Sequence, residues 1–299
     1  MRLLVTGAGG LIGRHVAQLA AADPAIDLIA TARRRPDTLP DTARFASADL
    51  SNPDAAAALV REVRPTHLIH CAWETRQPTY WHDLANLDWV VGAARMGQAF
   101  ATSGGVRFVQ LGSCAEYDWS HGLCIEGVTP DSPATRYGKA KLAAFHAIEA
   151  AAEGAFEAVE ARIFFVYGPG ENADRFIPYI CRSHLAGRVP ELGDGRQWRD
   201  LLHAEDAGRA LLMLATATGL TGIVNIGGGV PTALAEVATE LARAAGTAET
   251  GLARKTNRAG DPTLLVAASD RIRSTGWTPQ ISLKQSLAAT LAWWRRQRQ

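Results

Sequence analysis

The 299-residue chain lacks a surplus of either charge. Lys and Arg number 31 against 30 Asp and Glu, a formal net charge of +1. That balance argues against a broad electrostatic footprint for nucleic acid or an anionic membrane. No uncharged apolar stretch approaches the ~20 residues that a membrane-spanning helix needs. The first apolar run, Leu3 to Val5, is too short for the core of a secretory leader, so cytoplasmic residence is expected. Cysteine is scarce: Cys71, Cys114, Cys124 and Cys181, with no CxxC spacing. Neither a disulfide framework nor a metal site is expected. Internal repeats and low-complexity linkers are missing too. What remains is 47% apolar and 20% charged, the texture of a globular protein. The length suits two domains, or one large α/β unit with an appendage.

Strand-like runs alternate with helical ones through the first half. Strands are expected over 2–6, 27–32, 67–72, 106–111 and 159–166. Helices are expected over 11–22, 55–63, 86–103 and 134–152. Such alternation predicts an α/β fold, a doubly wound parallel sheet covered on both faces. After Tyr167 the turn Gly168-Pro169-Gly170 opens an irregular stretch that lasts to Asp200. Beyond it come a helix over 205–216, a strand over 222–226, and helices over 234–245 and 283–295.

Thr6-Gly7-Ala8-Gly9-Gly10-Leu11-Ile12-Gly13 joins the first strand to the first helix. Gly7 suits the tight turn, Gly10 a close approach of backbone to a pyrophosphate, and Gly13 close packing of helix on sheet. The free N–H groups of the helix start would face the phosphates. Gly7, Gly10, Leu11, Ile12, Gly13, Leu50 and Ala72 are therefore candidate contacts of a dinucleotide in a Rossmann-type domain. A carboxylate commonly ends the second strand to bind the ribose 2′-OH. Here that strand ends Ala32-Arg33-Arg34-Arg35. Guanidinium groups pair with a phosphate dianion, so NADP(H) is expected, with Arg33 as chief 2′-phosphate ligand, Arg34 as helper, and NAD(H) as the alternative. Asp49 is the candidate acceptor for the adenine amino group.

Tyr137-Gly138-Lys139-Ala140-Lys141 opens the long helix. Positions i and i+4 share a face, so the Lys141 ammonium is expected beside the Tyr137 phenol, lowering its pKa and readying it for proton exchange with a ketone oxygen.

With these motifs in place, the chain resembles the extended short-chain dehydrogenase/reductase family, also called the NAD-dependent epimerase/dehydratase family. The resemblance spans nearly the whole chain. It includes Thr6-Gly7-x-x-Gly10-x-x-Gly13, His70-Cys71-Ala72, Leu111-Gly112-Ser113, Tyr137-x-x-x-Lys141, Arg162-x-x-x-Val166-Tyr167-Gly168-Pro169-Gly170, and Arg199-Asp200-x-x-His203. It implies Ser113 as third catalytic member beside Tyr137 and Lys141, with Lys141 also on the nicotinamide ribose. It further implies a dinucleotide-binding domain over 1–167 plus about 201–227, and a smaller, mostly C-terminal domain over about 168–200 and 228–299 for a nucleotide-diphosphate sugar. Arg199 matches the family's nucleotide-binding arginine, and Arg258 and Asp261 match a second pair nearby. A homodimer through 86–103 and 134–152 is implied as well.

Departures narrow the chemistry. Where family 4,6-dehydratases carry an Asp and a Glu after the catalytic hydroxyl residue, this chain has Cys114 and Ala115. The family's Asn before Val-Tyr-Gly-Pro is Phe165. Cys114 and Glu116 are candidate sugar contacts. Trp73, Trp81, Trp119 and Trp198 line either a sugar face or the core. Asp206 is a candidate cap of the helix that follows it, and His203 a packing residue. The preferred expectation is reduction of a keto group, at C4, of a nucleotide-activated deoxysugar. A 4-epimerase is the alternative, and a non-catalytic dinucleotide-binding protein the reading of a different class.

Overall fold

The computed structural model describes residues 1–257 and 260–297. Its first half runs β1 (Arg2–Thr6), α1 (Gly13–Ala21), β2 (Asp27–Ala32), β3 (Arg44–Ser47), α2 (Pro53–Val63), β4 (His67–His70), α3 (Asn86–Thr102), β5 (Arg107–Ser113), β6 (Leu123–Cys124) and α4 (Arg136–Ala152). There follow β7 (Glu157–Ile163), β8 (Phe165–Tyr167), α5 (Phe176–Leu185), β9 (Trp198–His203), α6 (Ala204–Thr216), β10 (Gly222–Ile226), β11 (Pro231–Ala233), α7 (Leu234–Ala245), β12 (Leu264–Ala267), α8 (Asp270–Arg273) and α9 (Leu283–Arg296).

Seven strands form a parallel sheet in the order β10-β7-β5-β4-β1-β2-β3. The doubly wound arrangement expected from the alternation is what forms. In β1, Leu3 and Val5 enter a core shared with α1 and α6, while Leu4 enters the opposite core with α2, α3 and α4. Each such side chain contributes roughly 1.5–3 kcal/mol by leaving water. Strands buried on both faces read as unbroken apolar runs, which is why they were visible in the sequence. Smaller strands form a second sheet, β11-β9-β12-β6, with β8 alongside β9; β11 runs antiparallel to β9.

Strand order reverses between β1 and β4, so the chain leaves these neighbours toward opposite faces and opens a crevice at their carboxyl ends. Thr6 and His70 lie in register there, and Ser113 ends β5 two strands from β1. Local chemistry sets the helices that frame this edge. Asn52 accepts from the backbone of Asp54 and Ala55 with Pro53 next to it, starting α2 as a capped, proline-initiated helix should. Thr135 accepts from Gly138 N at 3.1 Å, starting α4 one residue before Tyr137. The cap of α6 is His203, whose Nδ1 accepts from Glu205 N at 3.2 Å. Asp206, expected to cap, is buried instead and accepts from Ile281 N and Arg209.

Candidate active site

The glycine turn has the shape a pyrophosphate requires. Gly7 sits at φ +67°, and its carbonyl accepts from Gly10 N at 2.8 Å. A Cβ on Gly7 would lie 2.8 Å from Ala72 N, and one on Gly13 would lie 2.2 Å from the Gly7 oxygen. Both glycines are thus fixed by backbone approaching backbone. Ile12, ahead of α1, offers no side-chain cap, and the first turn of α1 holds no acid. Arg14 N and His15 N already donate to Gly10 O and Ile12 O, so an anion would meet the N–H groups ahead of them. Ala72 N donates to Thr6 Oγ1 at 3.2 Å, and Thr6 Oγ1 meets His70 Nδ1 at 2.7 Å, which ties the ends of β1 and β4 together. Burial pushes the His70 imidazole down to about 3, keeping it neutral.

At the end of β2 the three arginines differ. Arg35, though exposed, is held by its own segment, donating to the carbonyls of Pro40 and Ala43 and lying over Phe45. Arg33 and Arg34 are exposed. Asp49 accepts from the Ser51 hydroxyl at 2.7 Å and the Ser51 backbone at 3.1 Å through Oδ1. Those bonds, then Arg33, hold its carboxyl low. Leu50 is buried in the core on the α2 side.

Ser113, Tyr137 and Lys141 are brought together where β5 meets the start of α4. The Tyr137 phenol hydrogen-bonds the Ser113 side chain, yet burial pushes it well above the ordinary phenol value, with Tyr80 next and Glu116 in the same sense. The phenol is thus raised, where the i, i+4 spacing predicted a lowering by Lys141. The Lys141 ammonium donates to Leu111 O at 2.6 Å and lies 4.1 Å over the Trp73 ring. Burial lowers Lys141 to about 8, with Glu116 and Glu160 holding it up. The aromatic surroundings explain the phenol. Tyr80, Trp81 and Trp73 present edges to the Tyr137 ring at 5.0, 5.6 and 6.3 Å between centroids. Trp119 meets Trp81 edge-on and donates its indole N–H to Cys114 O at 2.7 Å. Trp198 is exposed on β9 and is not one of these rings.

Two expectations change here, and a third gains detail. Glu116 is 0% exposed: its carboxylate accepts from Ser113 N at 2.6 Å and pairs with Arg162, so it does not reach a sugar. Cys114 is buried among Tyr117, Cys124 and Phe164, and burial pushes its thiol up, away from the reactive thiolate. Arg199 and Asp261 do meet, but in a closed ion pair at 2.6 Å, with Arg199 also donating to the Trp198 and Pro262 carbonyls and lying over Phe165. Arg258 lies outside the described residues. Sequence reasoning missed Arg175. Half-buried ahead of α5, it is near enough to Tyr137 to pull the phenol back down, and it is near Glu171 too. The signal was hidden because Pro178 made α5 read as irregular chain. Among the described residues no cluster of His, Cys, Asp and Glu is arranged to hold a metal ion, and no helix is long and apolar enough to cross a membrane.

Comparison with known proteins gives a consistent result. The model of a family described as the NAD dependent epimerase/dehydratase family matches residues 3–227. The chain is 28% identical to a dTDP-glucose 4,6-dehydratase of Streptomyces griseus, over 99% of this chain and 94% of that protein. It is also 28% identical to a GDP-6-deoxy-D-mannose reductase of Pseudomonas aeruginosa, over 98% of this chain and 97% of that one. The structure of MoeE5 in complex with UDP-glucose and NAD superposes with a TM-score of 0.86 at 28% identity, covering 100% of both chains.

Proposed function

Because the chain belongs to the NAD dependent epimerase/dehydratase family, we propose that it is an NADP(H)-dependent reductase of a keto group, at C4, on a nucleotide-diphosphate deoxysugar. The observation that carries this reading is the meeting of Ser113, Tyr137 and Lys141 where β5 joins α4, with Lys141 anchored on Leu111 O. A protonated phenol suits the reductive direction, in which the carbonyl oxygen must gain a proton. The glycine cradle, with its backbone contacts at Gly7 and Gly13, fits a dinucleotide pyrophosphate. Arg33 and Arg34 hold the 2′-phosphate, and the free oxygen of Asp49 accepts from the adenine. When bound, the nicotinamide supplies the hydride.

The chain's own residues do the rest. The Ser113 hydroxyl and the Tyr137 phenol converge on the carbonyl oxygen, and two donors stabilise the charge that develops there. Tyr137 releases its proton to that oxygen. Lys141, anchored on Leu111 O, presents its remaining N–H groups to the nicotinamide ribose and keeps positive charge near the tyrosinate. Arg175 meets the diphosphate, with the Arg199–Asp261 pair toward the nucleoside. Cys114 and Ala115 offer no acid–base pair, so dehydration is disfavoured despite the likeness to a dehydratase. In this reading a second copy docks along α3 and α4, where Leu87 and Val91 stand exposed.

The test is NADPH oxidation against 4-keto-6-deoxy sugars on different nucleotides, with the product read by NMR. Net oxidation with one new carbinol is expected. Sugar interconversion without net NADPH use would identify an epimerase instead, and NADPH binding without any turnover a non-catalytic protein. In the same assay Arg33→Ala is expected to weaken NADPH about tenfold or more while leaving NADH unchanged, since a charge-assisted bond contributes ~1.5–3 kcal/mol. An unaltered preference removes Arg33 from the site.

A further inference from the structure

Beneath Ser113 lies a wholly buried ionic cluster that the chemistry above does not use. Glu116, Glu160 and Arg162 are each 0% exposed. Arg162 Nε is 2.8 Å from Glu160 Oε2 and 3.3 Å from Glu116 Oε2, and its Nη1 is 2.5 Å from Asp131 Oδ1. The Arg162 guanidinium also lies 4.4 Å over the Tyr117 ring. From α4, Lys141 completes the set of charges facing the two glutamates, and the Tyr137 phenol feels Glu116 from the same side. Glu116 Oε1 accepts from Ser113 N, but Glu116 Oε2 and Glu160 Oε1 have no hydrogen-bond partner although both are buried. Gly112 makes room for this: a Cβ there would lie 2.7 Å from Glu160 Cγ.

Both glutamates sit in the interior with an oxygen that nothing hydrogen-bonds, and a buried charge left so is costly. Two carboxylates competing for one N–H repel each other as well. A single proton resolves both difficulties. It ends the repulsion between carboxylates that share Arg162 Nε, and as an O–H···O⁻ bond it supplies the two unpartnered oxygens.

We propose that Glu160 is a carboxylic acid in the folded protein, donating one shared proton to the Glu116 carboxylate, and that this pair fixes Ser113 opposite Tyr137. Glu116 is the anionic member, since it already accepts the Ser113 N–H. The positioning half rests on the reading of Ser113 given above; the shared proton does not. Burial, with Glu116 beside it, raises the Glu160 carboxyl well above the usual carboxylate range, in the same sense as the geometry. A raised carboxyl contributes its stability fully below the unfolded value of ~4.3 and loses it as pH climbs toward the folded value.

Glu160→Gln keeps the shape and a donor to Glu116 but has no proton to lose. Its Tm is expected to match wild type near pH 4–5 and to exceed it by about 2–4 °C or more at pH 7–8. A Gln variant less stable than wild type at neutral pH would mean that Glu160 is an ionised partner of Arg162, and it overturns the shared proton. For positioning, Glu116→Gln is expected to lower kcat about tenfold at unchanged KM, the signature of an interaction made only in the transition state. A kcat equal to wild type in a folded variant overturns that half. Melting needs no substrate, so the first result stands whichever sugar is turned over.

Discussion

Tyr137→Phe is expected to cut turnover by about 10³-fold, the range for removing a positioned general acid, with Tm within a few degrees of wild type. The ring keeps its place because Tyr80, Trp81 and Trp73 hold it by edges rather than through the hydroxyl. What goes is the phenol's bond to Ser113, ~1 kcal/mol of net stability. The loss belongs in kcat, with NADPH affinity preserved, because the glycine cradle and Arg33 lie on other elements. Single-turnover kinetics with the keto-sugar found in the screen, together with a melting curve, measure both quantities. Near-full activity in the Phe variant refutes the assignment of the proton donor.

Gly138→Ala is expected to be nearly as damaging, by another route. Helix propensity alone favours alanine over glycine by ~1 kcal/mol. Here that gain is overwhelmed, because a Cβ on Gly138 would lie 2.1 Å from Ala115 O and 2.9 Å from the Pro133 ring. The backbone carbonyl cannot swing aside as a side-chain tip would. Either α4 or the 114–116 turn must withdraw, which costs about 1–3 kcal/mol as overpacking. Tyr137 rides on α4 and Ser113 precedes the turn, so their separation grows. A misplacement of ~1 Å at reacting groups costs on the order of 10²-fold in rate. A lowered Tm together with a lowered kcat is the expected pair of results. An alanine variant more stable than wild type and fully active would show that the contact relaxes freely.

The frame of this site was legible before any coordinates. β1, its glycine turn, the end of β5 and the Tyr137–Lys141 spacing all carry local signals, since apolar runs and fixed spacings need no knowledge of distant chain. What escaped were features made by remote neighbours. β3 is a four-residue edge strand beginning at an exposed Arg44, with too little burial to imprint a pattern. α5 carries Pro178 at its third residue, where a helix tolerates proline because its first N–H groups lack partners anyway. The failure at Glu116 has the same root. In a short acidic and aromatic segment it reads as a surface loop, and only the arrival of Arg162 from β7 takes it inside. The phenol was misjudged for a related reason. Spacing put Lys141 on its face, but spacing does not register the Tyr80–Trp81 segment that packs against the ring.

The rings gathered around Tyr137 have one more consequence. Indoles emit in the near ultraviolet, where a reduced nicotinamide absorbs and an oxidised one does not. With Trp73 and Trp81 packed against the phenol, arrival of NADPH would dim this intrinsic fluorescence and its oxidation would restore it. On the function proposed above, the molecule would carry an unlabelled optical gauge of its redox cycle, built from side chains packed around the tyrosine.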